Sequence, residues 1–463
     1  MKFLNIFIVI TLCLFTSGIS YAEFEIYQSI PTNGVRDCEF FSINNVPYIA
    51  IINHYSGSTY NVNSIIYKWD GSSFIEFQSI PTNGGIDCEF FKLNGESYFA
   101  IANYYNDITR NIDSHIYKWN GTNFSLFLSI PTHGAFYWSY FTIDGENYLS
   151  LSNLFNDSSY NINSKIYKWD GTGFMVFQNI NTNGANSCEY FSINGESFLA
   201  VANRFIDSQI YKWNGSSFQA FQSIASNIAM HLKPFKINDD IYFALANYQD
   251  DSSFNINSKI YKWNNTTFLE LQSIATNAAF SMETLTINGE TYLAVANHKN
   301  NLTKKVDTKI YKWDFNSFIE FQSIPTEGAV KCKGFIIDGS NYLAVANYHD
   351  GSTYQVESKI YKWEDLCNYT DTDSDGVIDK FDLDSNTPKG SAVYADGRRS
   401  EDLYSEIDNL KQTITEMYTK EEVQERLQAI LDCCDTDGNG KVSLAEIISG
   451  LETLAGMKNN TNN

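Results

Sequence analysis

The chain has 463 residues, 15% of them aromatic, and a formal charge of −22. An acidic excess of that size repels phosphate backbones and anionic membranes, which argues against nucleic acid as a partner. From Glu364 onward there are 22 acidic and 9 basic side chains, a composition suited to divalent cations.

In chain order, the first element is a secretory signal over residues 1–22. Lys2 precedes an apolar run from Phe3 to Phe15, and Ser20-Tyr21-Ala22 supplies the small-residue cleavage site. Cys13 sits in the apolar run without small neighbours, so it does not read as a lipid-attachment site. No other stretch is long enough to span a bilayer. The mature chain is expected to begin at Glu23, to be not membrane-spanning, and to be secreted, periplasmic or held at the cell surface.

Next come seven copies of one pattern. The hexamer SKIYKW and its variants place Trp69, Trp119, Trp169, Trp213, Trp263, Trp313 and Trp363 at spacings of 50 residues, with one of 44. A fixed period of this length marks a repeat architecture. Each unit holds four alternating runs of about six residues, as in Cys88–Leu93, Ser97–Asn103, Ser114–Trp119 and Phe124–Ile130. Asn94-Gly95, Asp70-Gly71, Asn120-Gly121 and Asp170-Gly171 lie between runs, where a two-residue hairpin turn requires positive φ.

A four-stranded meander with two apolar faces must stack on its neighbours, and seven in a ring make an all-β, seven-bladed β-propeller over residues 23–365. The last unit ends at Trp363 without a fourth strand, while Phe24–Ile30 is a fourth strand without a unit. Pairing the two closes the ring. Within the hexamer, Tyr and Trp share one strand face and Ile and Lys the other, which predicts an inter-blade core with the Lys ammonium reaching an edge. An aromatic ligand cage is the alternative.

Tyr342–Asn347, Ser358–Trp363 and Phe318–Ile324, with their equivalents in each unit, resemble the EAR repeat, also called the EPTP repeat, over about residues 24–364. The resemblance implies a propeller that binds other proteins outside the cell. The fourth unit departs from it with a loop six residues shorter at Arg204–Ser208, and the fifth and sixth lack the Pro and Gly of IPTNG.

Three residue types bear on chemistry. Asn53, Asn103, Asn153, Asn203, Asn247, Asn297 and Asn347 end the second strands and are expected to hold loop backbone rather than a metal or sugar. Cys38, Cys88, Cys188 and Cys332 share a first-strand slot with Trp138, Leu232 and Met282, so buried free thiols are expected. Cys433 and Cys434 are adjacent and could cross-link protomers. His54, His115, His133, His231, His298 and His349 lie singly, with no nucleophile motif or paired carboxylates beside them, which predicts no enzyme.

The tail changes character. DTDSDGVIDKFD offers Asp371, Asp373, Asp375, the Val377 carbonyl, Asp379 and Asp382 at the spacing that wraps oxygens around one calcium ion. It resembles a thrombospondin type 3 repeat, which implies a calcium-binding linker over residues 366–390. DTDGNGKVSLAE fits an EF-hand loop within residues 419–456: Asp435, Asp437, Asn439, the Lys441 carbonyl, Ser443 and a bidentate Glu446, with Gly440 at the sharp turn. Thr419–Glu422 is a capping box for its first helix. Between the loops, in a short helix over residues 400–418, Leu403, Ile407, Leu410, Ile414 and Met417 follow a coiled-coil spacing that either packs on the EF-hand or joins chains into a homo-oligomer through residues 403–417.

The expectation is therefore an exported, calcium-binding, non-enzymatic interaction or adhesion protein: a propeller followed by a small α-helical EF-hand tail. Its partner is an extracellular or cell-surface protein. The alternative is a lectin-like propeller whose partner is a glycan.

Overall fold

The alternating runs form strands, twenty-eight of them from β1 (Ala22–Asn33) to β28 (Gln355–Asp365), within the residues 22–365 that the computed structural model of the protein describes. They group into seven four-stranded antiparallel sheets. In blade 1, β2 (Val35–Ile43) is innermost, followed outward by β3 (Val46–Asn53), β4 (Asn61–Trp69) and β5 (Phe74–Asn83). Most strands run 7 to 10 residues, longer than the six read from the apolar runs, because ladder pairing continues into the polar ends: Asn61 still opposes Asn83. Blade 7 takes its outermost strand from the other end of the chain, in the order β1, β28, β27 (Ser340–Asn347), β26 (Ala329–Ile337). The ring is closed as expected.

One apolar cluster fills each joint between blades. Ile66 of blade 1 packs with Cys88, Phe99, Ile101 and Phe124 of blade 2. Trp69 and Phe74, with Tyr67 packed against them, face Phe335, Tyr342 and Ile360 of blade 7. The hexamer thus serves two joints at once, one per strand face. Its second Lys reaches the rim, where Lys212 meets Glu196 at 2.6 Å and Lys312 meets Glu290 at 2.6 Å.

A polar clasp ties the outer strands. Gln78 donates to the Phe124 carbonyl at 2.8 Å and accepts from the Phe124 amide at 2.9 Å, and Gln28, Gln178, Gln222, Gln272 and Gln322 repeat this on the next blade. The blade 2 position holds Leu128 instead.

The turns divide the molecule into two ends. At the turn face, Asn94 and Gly95 both have positive φ, the two-residue hairpin the sequence predicts. Asp70-Gly71, Asn120-Gly121 and Asp170-Gly171 differ: only the Gly is positive, and four residues intervene between paired Trp69 and Phe74. The reason is the side chain, since Asp70 Oδ1 accepts from the Ser72 and Ser73 amides at 2.8 Å each and closes a wider loop. At the opposite end, the loop face carries the second-to-third-strand loops and the crossings between blades.

Candidate functional site: the central channel and its mouth

The innermost strands line a channel, and each enters it through a β-bulge, at Arg36 in blade 1. Three layers of side chains follow from loop face to turn face. The first is mostly apolar: Ile86, Phe136, Met230 and Val330 are buried and, with Phe280 beside them, plug the channel. The second holds Asp37, Asp87, Tyr137, His231 and Lys331, and the third Glu39, Glu89, Glu189, Lys233, Glu283 and Lys333. Below the plug lies a polar cavity of about 310 Å³.

Carboxylates occur here because an innermost strand is an edge whose N–H groups need acceptors. Asp37 Oδ2 accepts from the Cys88 amide at 3.0 Å, Asp87 Oδ2 from the Trp138 amide at 2.8 Å, and Glu89 Oε1 from the Tyr140 amide at 3.0 Å. Ser187 and Ser281 do the same for Leu232 and Cys332. Lysines offset part of the charge: Lys331 pairs with Asp37 at 2.9 Å, Lys333 with Glu39 at 2.7 Å and Lys233 with Glu189 at 3.0 Å.

Acids still outnumber cations, and the protonation pattern follows. Burial, then Glu39, pushes Glu89 up to about 8. Burial, then Asp37, raises Asp87 well above the usual range. Burial also pushes at Glu189, but Lys233 and His231 outweigh it and hold that carboxyl well below the usual range. His231 is lowered by burial against the opposing pull of Glu189, 3.3 Å away. Among the described residues no group of His, Cys, Asp and Glu side chains is arranged to hold a metal ion.

The sequence reading missed this cluster. It found His231 without a partner and no paired carboxylates in the propeller; the fold brings Glu189 to His231 and Asp37 to Asp87 across blades some fifty residues apart. A signal was present, since Asp-Cys-Glu, His-Leu-Lys and Lys-Cys-Lys flank the apolar slot of the innermost strand with charge. The four slot cysteines are free and buried, and burial above all raises their thiols, Cys188 to about 12.

The loop face is built by the second-strand Asn residues as expected. Asn53 Nδ2 donates to the Asn63 carbonyl at 2.9 Å, its Oδ1 accepts from the Asn33 amide at 2.9 Å, and its amide donates to Ser64 Oγ at 3.2 Å. With backbone held this way, the loops present aromatic rings in an arc: Tyr354, Tyr55, Tyr60 and Tyr105 contact in sequence, Arg110 bridges Tyr105 to Phe155, and Tyr160 joins Phe155 to Phe205. Ile108 and Leu302 stand at loop tips, 84% and 95% exposed. In blade 4 the short loop leaves a notch of about 570 Å³ between Phe205, Ile228 and Asp251.

The calcium ligands read from the sequence (Asp371, Asp373, Asp375, Val377, Asp379, Asp382, Asp435, Asp437, Asn439, Lys441, Ser443 and Glu446) lie outside the described residues, as do Cys433, Cys434 and the helix over residues 400–418. Among the described residues no helix is long and apolar enough to cross a membrane.

The EPTP domain model matches seven times, at residues 23–70, 73–120, 123–170, 173–214, 217–264, 267–314 and 317–364. Each match is one strand out of step with a blade, opening on the fourth strand of the preceding one. Two proteins named thrombospondin-type laminin G domain and EAR repeat-containing protein are similar: that of Mus musculus is 36% identical over 63 residues, 14% of this chain, and that of Homo sapiens 42% identical over 48 residues, 10% of this chain. The matches span 9% and 7% of those relatives' own lengths. Seven matches in register, each on four strands of a closed ring, place the chain in the EPTP repeat family of β-propellers.

Proposed function

We propose that this is an exported, non-enzymatic interaction protein that offers the loop face of its propeller to an extracellular protein partner. The carrying observation is that the loop face gathers a half-buried aromatic arc, exposed at Tyr160 and Phe205, and the apolar tips Ile108 and Leu302. Apolar side chains held on ordered loops are what a partner surface buries, and aromatic anchors supply most of such binding energy. The signal-like N-terminus over residues 1–22 supports export. The test is capture of a partner from the native extracellular fraction, identified and then re-measured against variants. Ile108→Ser with Leu302→Ser should weaken its binding about tenfold, and Phe315→Ser, which removes an exposed ring from the turn face, should leave it unchanged. Equal binding by all three proteins sinks the reading.

Calcium belongs to the tail in this proposal. Carboxylates at the spacing of Asp371–Asp382 and Asp435–Glu446 repel one another without a cation and fold around one. Calorimetric titration of the full chain should show uptake, and Glu446→Gln should weaken one site at least about tenfold. Absence of uptake at millimolar calcium removes the cation from the proposal and leaves the propeller reading standing.

A further inference from the structure

The mouth of the channel on the loop face concentrates cations that have no acid. Arg36 lies 3.9 Å over the Tyr348 ring and 5.1 Å from that of Phe280. Arg204 reaches Asn186 Oδ1 at 3.3 Å. Lys299 stands 3.6 Å over Phe254, and Lys304 5.8 Å over both Tyr348 and Tyr354. Among the described residues no carboxylate comes within ion-pair distance of these four, although the chain as a whole carries a charge of −22. Asp350, the acid that acts on Lys304 at longer range, is held by its own turn and by Lys305 at 3.7 Å.

Two details show that this is more than a surface without acids. The Nε atoms of Arg36 and Arg204 are both buried and lack any hydrogen-bond acceptor. An unmet buried donor is destabilising, so an apolar mouth would be cheaper unless something completes it. The cations also act on one another: burial, then Lys299 and Arg36, lowers Lys304, and burial, then Arg36, Lys304 and Lys299, holds His298 well below its usual value. Charges that repel within one recess are relieved together by one anion.

We propose that the channel mouth is a binding site for the carboxylate of a terminal acidic sugar, of the uronic or sialic acid class. The carboxylate accepts from the guanidinium of Arg36 or Arg204, a charge-assisted pairing that lysine matches less well. The floor is closed by Phe136, Met230 and Phe280, so the recess takes an end group and not a passing chain. Tyr104 and Tyr248, half-buried and packed against that floor, are flat rings with a hydroxyl, which suit the C–H face and hydroxyls of a pyranose better than a flexible peptide. The net negative charge of the chain opposes the approach only weakly, because salt screens it beyond about 8–10 Å. The site does not depend on the protein-partner reading, since it concerns the recess and not the loop tips.

The test is calorimetric titration of the full chain with free N-acetylneuraminic acid and glucuronic acid. At least one should bind saturably, galactose should not, and Arg36→Gln and Arg204→Gln should each weaken binding at least about tenfold while shifting the melting temperature by less than about 2 °C. Ile108→Ser, outside the recess, should bind as wild type does. The proposal is overturned if neither acidic sugar binds below about 20 mM, if galactose binds equally, if both arginine variants keep full affinity, or if N-acetyl-trialanine with its free carboxylate binds as tightly as the sugars.

Discussion

The joint between blades 1 and 2 and the joint between blades 4 and 5 share a core but not a surface. Both cores are closed by large buried side chains, Phe99 and Phe124 in one and Phe243 and Phe268 in the other. On the loop face they part. Asp107 of blade 2 accepts from the Tyr60 amide at 2.9 Å, from Asn61 Nδ2 at 2.8 Å and from Thr59 Oγ1. Asp157 repeats the grip on Arg110, and Asn301 on Phe254. Asp251 of blade 5 holds the same place in its loop, but the blade 4 loop, Arg204–Asp207, is too short to meet it. The strands therefore set the ring, and the loop clasp is a second, separable layer: blades 1 and 7 carry Gly57 and Gly351 at its position, with no side chain to make it.

The comparison breaks most completely if the ring itself is opened. Removal of residues 22–30 strips the outer strand from blade 7, bares the edge of β28 and deletes Phe24, which meets Trp363 edge to face at 5.1 Å. Scanning calorimetry should show aggregation or a melting temperature lower by more than about 10 °C, and hydrogen exchange should then rise at both joints alike. An unchanged melting temperature refutes closure by β1.

A smaller loss comes from the channel. Glu89 has a folded pKa of about 8, above its unfolded value, so the folded state holds the proton more tightly. Its contribution is present at low pH and is lost as pH rises through that window, on the order of a few kcal/mol. Glu189 runs the other way and loses its contribution only as pH falls through its depressed value. Thermal melts from pH 5 to 9 should show stability declining toward pH 8, with the decline reduced in Glu89→Gln; a parallel decline in that variant removes Glu89 as its source.

The clasp is sharpened by paired substitutions. Asp107→Ala should lower the melting temperature and speed exchange at the Tyr60 amide, whereas Asp251→Ala should leave both as in wild type. Equal costs would mean that the clasp carries nothing of its own. The smallest effect is at a crossing between blades. Ala278 sits at φ 48, where five of the seven crossings have Gly, so Ala278→Gly should stabilise by up to about 1 kcal/mol in urea melts.

The ring was legible because its information is periodic: one Trp per blade, one slot per innermost strand, one Asn per loop. Closure was legible because Phe24–Ile30 had no unit of its own. The channel was not, because its contacts are circular. Asp37 meets Cys88 and Glu189 meets His231 only once neighbouring blades have stacked, Lys331 meets Asp37 only once the ring has closed, and the charges flanking the slot do not state which of them will meet. The mouth was missed for a related reason. Arg36 and Arg204 stand in different positions of their repeats, one on a bulge and one after a strand, so alignment of the units separates residues that the ring brings together. The left-handed backbone at Ile228, φ 47, also ran against its residue type, since Ile avoids that region and only the register of the neighbouring crossings points to it.

The place of β28 has a mechanical consequence. It runs from the loop face to the turn face and lies between β1 and β27, with a hydrogen-bonded ladder on each side. The chain thus leaves the propeller at the end opposite the loops, along the axis of a strand gripped on both edges. A load drawn between something seated on the loop face and the chain beyond Asp365 pulls β28 lengthwise, and hydrogen bonds perpendicular to a strand resist such a pull together in shear and do not yield one after another. The last strand is both the closing clip of the ring and its tow point.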